Sequence, residues 1–214
     1  QLWGNPLYRW DRLQDRQFDW WVKRFEHNLK LFDIVRIDHF RGLVGYWKVP
    51  AEETTAVCGA WHEAPVYAFL DTLSRCFPYL PVIAEDLGLI TADVREVMLR
   101  YGLPGMRILQ FAFDSEPGNH PYLPHNYPAR TVVYTGTHDN NTSRGWFLNE
   151  LDVDGLKILS DYLGHSPDEK EIHWELIRLA WMSVAATAVA PMQDVLGLGR
   201  EARMNRPGIA VGNW

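Results

Sequence analysis

The stretch Asp33-Ile34-Val35-Arg36-Ile37-Asp38-His39-Phe40 decides how this chain of 214 residues is read. A short apolar run, too brief for a helix, ends in an acid and a histidine. In an extended chain successive side chains alternate, so Arg36 and Asp38 share one side while Ile37 takes the other. Four more runs share this form: residues 81–86 (PVIAED), 106–110 (MRILQ), 131–134 (TVVY) and, less regularly, 185–190. Runs rich in Val and Ile with polar ends predict buried strands of a parallel sheet.

Helix-like stretches lie between them. Residues 18–31 place Trp21, Phe25 and Leu29 at i, i+4 and i+8, and residues 64–77 do the same with Val66, Leu70 and Leu73. Residues 91–101 open on Thr91 as a cap with Asp93 in the first turn. Residues 169–184 repeat Ile172, Leu176 and Leu179, with Trp174 and Trp181 beside them. Strands separated by helices imply parallel crossovers, either in an open doubly wound sheet or in part of a (β/α)₈ barrel. Neither G-x-G-x-x-G nor G-x-x-x-x-G-K-[ST] occurs, which removes the nucleotide-binding version. Acids at three of the strand ends favour the barrel, whose functional groups come from the C-terminal ends of several strands. The expectation is therefore an α/β fold of the (β/α)₈ TIM type, represented by its C-terminal portion of about five βα units. Residues 1–214 read as one domain.

Composition narrows the function classes. The net charge of −6 and the lack of any run of basic residues argue against a nucleic-acid partner. The longest apolar stretch, near residues 184–190, is far short of the roughly 20 residues of a membrane helix. Two cysteines, Cys58 and Cys76, are too few for a disulfide framework and read as reduced thiols of a cytoplasmic protein. The chain opens at Gln1 with no leader pattern and stops at Trp214 within a motif, so it reads as a segment of a longer polypeptide.

Three acids carry the chemistry. An arginine beside Asp38 favours the ionised carboxylate, which suits a nucleophile; a structural Arg–Asp pair is the alternative. Glu85 ends an apolar run beside Asp86, and desolvation with a neighbouring like charge is the setting of a general acid. Asp86 reads as a bond to local backbone at the turn Gly88 permits, and two solvated loop acids are the alternative. In Thr135-Gly136-Thr137-His138-Asp139-Asn140-Asn141-Thr142, His138 and Asp139 offer a donor and an acceptor to sugar hydroxyls, while residues 140–142 suit a helix cap. A retaining glycosidic mechanism sets two carboxyls about 5–5.5 Å apart, and a third acid can grip the substrate. Ten Trp and nine Tyr residues suit sugar rings, with Trp3, Trp47, Trp61, Tyr122, Tyr127 and Trp146 outside the helical spacing; core packing is the alternative for most of them, and Trp20, Trp21, Trp174 and Trp181 sit at helix-core spacing. Neither H-E-x-x-H nor a Cys/His cluster supports a metal, and no G-x-S-x-G supports a serine nucleophile.

These motifs carry a resemblance. Residues 1–8 (QLWGNPLY), RIDHFRG at 36–42, AEDLG at 84–88, THDN at 137–140 and MNRPG at 204–208 are similar, in order and spacing, to the second half of the 4-α-glucanotransferase (amylomaltase, or disproportionating enzyme) family, relatives of the α-amylases. The resemblance implies a retaining transferase of starch, glycogen or maltose metabolism that moves an α-1,4-glucan segment to the 4-hydroxyl of an acceptor, cytoplasmic, with no cofactor and no metal. Asp38 would match the nucleophile, Glu85 the acid/base and Asp139 the third acid. Arg36, His39, His138 and Asn140 would line the cleaved sugar, Trp3 the glucan groove, and Asn205 a polar contact nearby. The implied partners are malto-oligosaccharides and the missing N-terminal half of the same polypeptide. Asn141 stands where the family often has an acid. The catalytic acids serve hydrolysis of α-glucans equally, and a glucan-binding fragment without turnover is the third reading.

Overall fold

The computed structural model describes residue 2 and residues 4–114 and 118–214, arranged as two compact units, Gln1–Gly105 and Met106–Trp214. The first unit opens with helices α1 (Trp10–Asp15) and α2 (Asp19–Leu31), followed by strand β1 (Val35–Ile37). A hairpin of β2 (Gly45–Lys48) and β3 (Ala60–Glu63) comes next, then α3 (Val66–Cys76), β4 (Val82–Ala84) and α4 (Ala92–Tyr101). Strands β1 and β4 pair in parallel, with Val35 opposite Val82 and Ile37 opposite Ala84.

The core of this unit follows from the periodicity of α3. Val66, Phe69, Leu70 and Leu73 recur at i, i+3, i+4 and i+7, which places them on one stripe, and all four are buried. Phe69 lies at the centre of an aromatic cluster, with ring centroids 6.2 Å from Trp10, 5.4 Å from Phe18 and 5.3 Å from Trp21. All three are edge-on contacts, the geometry that ring quadrupoles favour. Ala84 of β4 and Val94 and Val97 of α4 close the same core.

Strand β5 (Gly105–Ile108) leads into the second unit, which continues with β6 (Thr131–Tyr134), α5 (Ser143–Asn149), α6 (Val153–Leu163), α7 (Ile172–Met182), β7 (Thr187–Val189) and α8 (Met192–Val195). Its sheet has the order β5-β6-β7, and β6 and β7 are parallel with Val133 opposite Ala188. Phe113, Val133, Trp146, Leu159, Ile172 and Leu176 form the core. The five expected strands are thus all present, each within the stretch that predicted it or one residue beyond.

The structure also departs from expectation. The β2–β3 hairpin is antiparallel and almost wholly exposed, and its short Gly-Tyr-Trp-Lys and Ala-Trp-His-Glu segments lack the apolar run that marks a buried strand. Trp47 and Trp61 face each other across it, with centroids 5.5 Å apart. Thr91 starts α4 without bonding its backbone; its hydroxyl instead bonds Asp93, which together with nearby backbone amides holds that carboxyl below the usual range. Trp20 is 47% exposed and Trp181 is 70% exposed, so periodicity identified their helices but not the face each side chain takes. Tyr127 and Trp146 are packing residues of the second core. Among the described residues no helix is long and apolar enough to cross a membrane.

Because Phe69 touches three rings at once, Phe69→Ala is expected to cost about 3–5 kcal/mol, the range for emptying a large aromatic site in a core. Urea denaturation followed by tryptophan fluorescence reads this directly. A loss below about 1 kcal/mol would show that the cluster does not hold the first unit together.

Candidate active site

The register of β1 and β4 ends on the pair Ile37 and Ala84, and the next residue of each strand is an acid, Asp38 and Glu85. Parallel pairing therefore brings both acids to the same end of neighbouring strands. The pairing extends beyond the strands proper: the amide of Glu85 donates to Ile37 O at 2.9 Å, and the amide of Phe40 donates to Glu85 O at 3.1 Å.

Glu85 is held by main-chain donors. Its Oε2 accepts from the amide of His39 at 2.6 Å and its Oε1 from the amide of Leu87 at 2.8 Å. Glu85 thus makes a local main-chain bond of its own at this turn. His39 reaches it from a left-handed backbone conformation, φ 46° and ψ 53°. This region is uncommon for residues other than glycine, though histidine is among those that enter it more readily. Asp86 packs its carboxylate against Gly105, where an added Cβ would come within 2.7 Å of both oxygens. Only a residue without a side chain leaves that space.

Arg36 lies beside Asp38 as the alternation predicts, with Nη2 2.8 Å from Oδ1. The Asp38 side chain is 78% exposed, so its carboxylate is open on the remaining sides. The loops that follow β1 and β4 are tied again by Arg41, whose Nη1 donates to Leu89 O at 2.7 Å. The guanidinium of Arg41 also lies 4.8 Å from the centre of the Trp61 ring.

In the second unit the run of residues 135–142 follows the end of β6. Asp139 Oδ1 accepts from Asn205 Nδ2 at 2.5 Å, and His138 Nε2 lies 3.4 Å from Oδ2. The backbone of the same pair is held as well: Asn205 N donates to His138 O at 3.1 Å, and Arg203 Nη2 donates to Asp139 O at 2.6 Å. Asn140 turns inward, its Oδ1 accepting from Thr137 N at 2.9 Å and Thr137 Oγ1 at 2.7 Å. Thr142 caps α5 by accepting from Gly145 N at 3.0 Å, as its position in the motif predicts. Trp214 stacks on His138 with centroids 5.5 Å apart. Trp3, expected to line a groove, lies outside the described residues.

Sequence reasoning missed Asp194, Arg203 and Glu150. Asp194 is 1% exposed and accepts three hydrogen bonds, from Thr135 Oγ1 at 2.5 Å, Ser143 N at 2.7 Å and Ser143 Oγ at 2.7 Å. It thereby clamps both ends of the loop that carries His138 and Asp139. A buried acid in Gln-Asp-Val-Leu carries no local mark of this task, because its partners lie 51 and 59 residues away. Among the described residues, no group of three or more His, Cys, Asp or Glu is placed to hold a metal ion.

Acids at the C-terminal ends of adjacent parallel strands, on alternating helices and strands, define this chain as part of a (β/α)₈ barrel. The family model described as 4-alpha-glucanotransferase matches residues 1–214, and the chain belongs to that family. It is 53% identical over 216 residues to the 4-alpha-glucanotransferase of Synechocystis sp., covering 100% of this chain and 42% of that protein. It is 51% identical over 219 residues to the 4-alpha-glucanotransferase of Thermus thermophilus, covering 100% and 44%. Among solved structures, the amylomaltase of Streptococcus agalactiae in complex with acarbose superposes with a TM-score of 0.93 at 38% identity, over 100% of this chain and 43% of that one. The amylomaltase of Corynebacterium glutamicum shares the fold, with a TM-score of 0.81 at 19% identity, over 99% and 35%. The chain thus spans less than half the length of the relatives it matches.

Asp194→Ala leaves one buried amide and two hydroxyls without their acceptor. Each unsatisfied group costs about 1–3 kcal/mol, so a loss of about 3 kcal/mol or more is expected in urea denaturation monitored by circular dichroism. A change under 1 kcal/mol would mean that the loop is held by other bonds.

Proposed function

We propose that this chain is the C-terminal part of a retaining 4-α-glucanotransferase, transferring an α-1,4-glucan segment to the 4-hydroxyl of an acceptor glucan or glucose. The observation that supports this reading is the β1–β4 register, since an acid, Asp38 or Glu85, directly follows each member of its last pair, Ile37 and Ala84. Family membership over residues 1–214 supports the same substrate class. Both units are read as parts of one barrel domain, completed by the N-terminal half of the same polypeptide. The free thiols of Cys58 and Cys76 fit a cytoplasmic location.

In this reading the Asp38 carboxylate attacks the anomeric carbon and forms a covalent glycosyl-enzyme. Arg36, bonded to one of its oxygens, orients it and leaves the other free to attack. Glu85 delivers a proton to the departing glycosidic oxygen and then takes one from the acceptor 4-hydroxyl, so that two displacements retain the anomeric configuration. A carboxyl group has about four acceptor sites, and backbone amides use two of those on Glu85, one on each oxygen. The others remain for the travelling proton. Asp139 is the third acid and holds sugar hydroxyls that gain charge in the oxocarbenium-like transition state. Arg36, His39 and His138 are the companions at the cleaved sugar, with Trp3 along the groove. Asn140 shapes the loop, and Asn205 directs the carboxylate of Asp139. No metal and no cofactor takes part in this scheme.

Incubation of the complete polypeptide with maltotriose tests the proposal. Longer oligosaccharides together with glucose are expected; glucose and maltose alone would establish hydrolysis, and bound but unchanged sugar a glucan-binding protein. Asp38→Asn is expected to abolish turnover while sugar binding survives, and near-normal rates would remove Asp38 from the nucleophile's place. Glu85→Gln is expected to block glycosyl-enzyme formation from natural glucans yet spare donors with a good leaving group such as fluoride. Equal loss on both donors would make Glu85 structural.

A further inference from the structure

We propose that Arg203 is the positioning residue of Asp139, acting through two main-chain carbonyls rather than on the sugar. The inference rests on the reading of Asp139 as the third acid. Three donors of one guanidinium serve three acceptors: Nη2 reaches Asp139 O at 2.6 Å, Nε reaches Asn205 O at 2.9 Å, and Nη1 lies 3.3 Å from Glu150 Oε1. The planar fork thus grips the peptide of the acid and the peptide of Asn205, the residue whose amide bonds the acid's carboxylate at 2.5 Å.

Asp139 and Asn205 are 66 residues apart, and their relative position determines where the carboxylate points. The Asn205 N–His138 O bond fixes one side of this closure and Arg203 the other. Glu150 supplies the countercharge and also accepts from Asn141 Nδ2 at 2.8 Å, so the clamp is anchored to the loop that carries Asp139. A lysine cannot repeat this geometry, because its ammonium is a point donor on a flexible stem and cannot span three fixed acceptors in one plane. Asn141 belongs to this framework through Glu150.

The test is a double-mutant cycle in the complete polypeptide, with α-maltotriosyl fluoride as donor so that slow variants stay measurable. Misplacing a catalytic group by about 1 Å can cost about 100-fold. Arg203→Lys and Arg203→Gln are expected to lower kcat by that order, with KM within about twofold. In the Asp139→Asn background the same substitutions are expected to change kcat by less than about twofold, since the group they position is gone. Arg203→Lys keeps the charge and serves as the folded variant if Arg203→Gln unfolds. Equal losses in both backgrounds, or a raised KM with kcat unchanged, would overturn the role of Arg203 alone. A near-normal rate in Asp139→Asn by itself would overturn the reading of Asp139, and this inference with it.

Discussion

Parallel pairing of β1 with β4 is the constraint on which the first unit's chemistry depends. Hydrogen bonds between strands fix register to the residue, and a slip of one position would turn every side chain to the opposite face. With Ile37 opposite Ala84, the next residues of both strands are acids, one paired with an arginine and the other held by amides. The buried side of the same strands is apolar, with Val82 and Ala84 enclosed by α3 and α4. Core packing and the placement of the acids are therefore consequences of a single register. The exposed end needs no apolar neighbours and is free to carry polar groups.

The second unit secures its acid by different means. Here a polar framework, centred on the buried Asp194 and on Arg203, ties a loop that lacks regular structure of its own. Asp194 joins the end of β6 to the start of α5, and Arg203 joins the loop to the segment that supplies Asn205. Such networks are strong when every member is satisfied and costly when one is removed. The first unit positions Glu85 with backbone amides, one from Leu87 two residues on and one from His39 beyond the neighbouring strand, whereas the second positions Asp139 with the side chains of Asn205 and Arg203.

That contrast explains what could be read from sequence. The strands and the acids at their ends were visible because an apolar run and its polar stop are neighbours in the chain. The Arg36–Asp38 pair was visible for the same reason, as two residues of one strand share a side. Asp194, Arg203 and Glu150 were not, since each has meaning only through partners brought near by folding. The hairpin escaped notice because its strands are exposed and carry no apolar period. Trp20 and Trp181 misled in the opposite sense: spacing showed that they belong to helices, while exposure depends on what lies against each face.

The amide of His39 that reaches Glu85 has one more consequence. Because the donor is main chain, exchanging the imidazole for another side chain leaves the bond in place, so the hold on the Glu85 carboxylate is insulated from most substitutions at this position. Proline alone removes the donor, and branched residues resist the twist that aims it. The ring at residue 39 can thus vary while the main-chain hold on Glu85 persists.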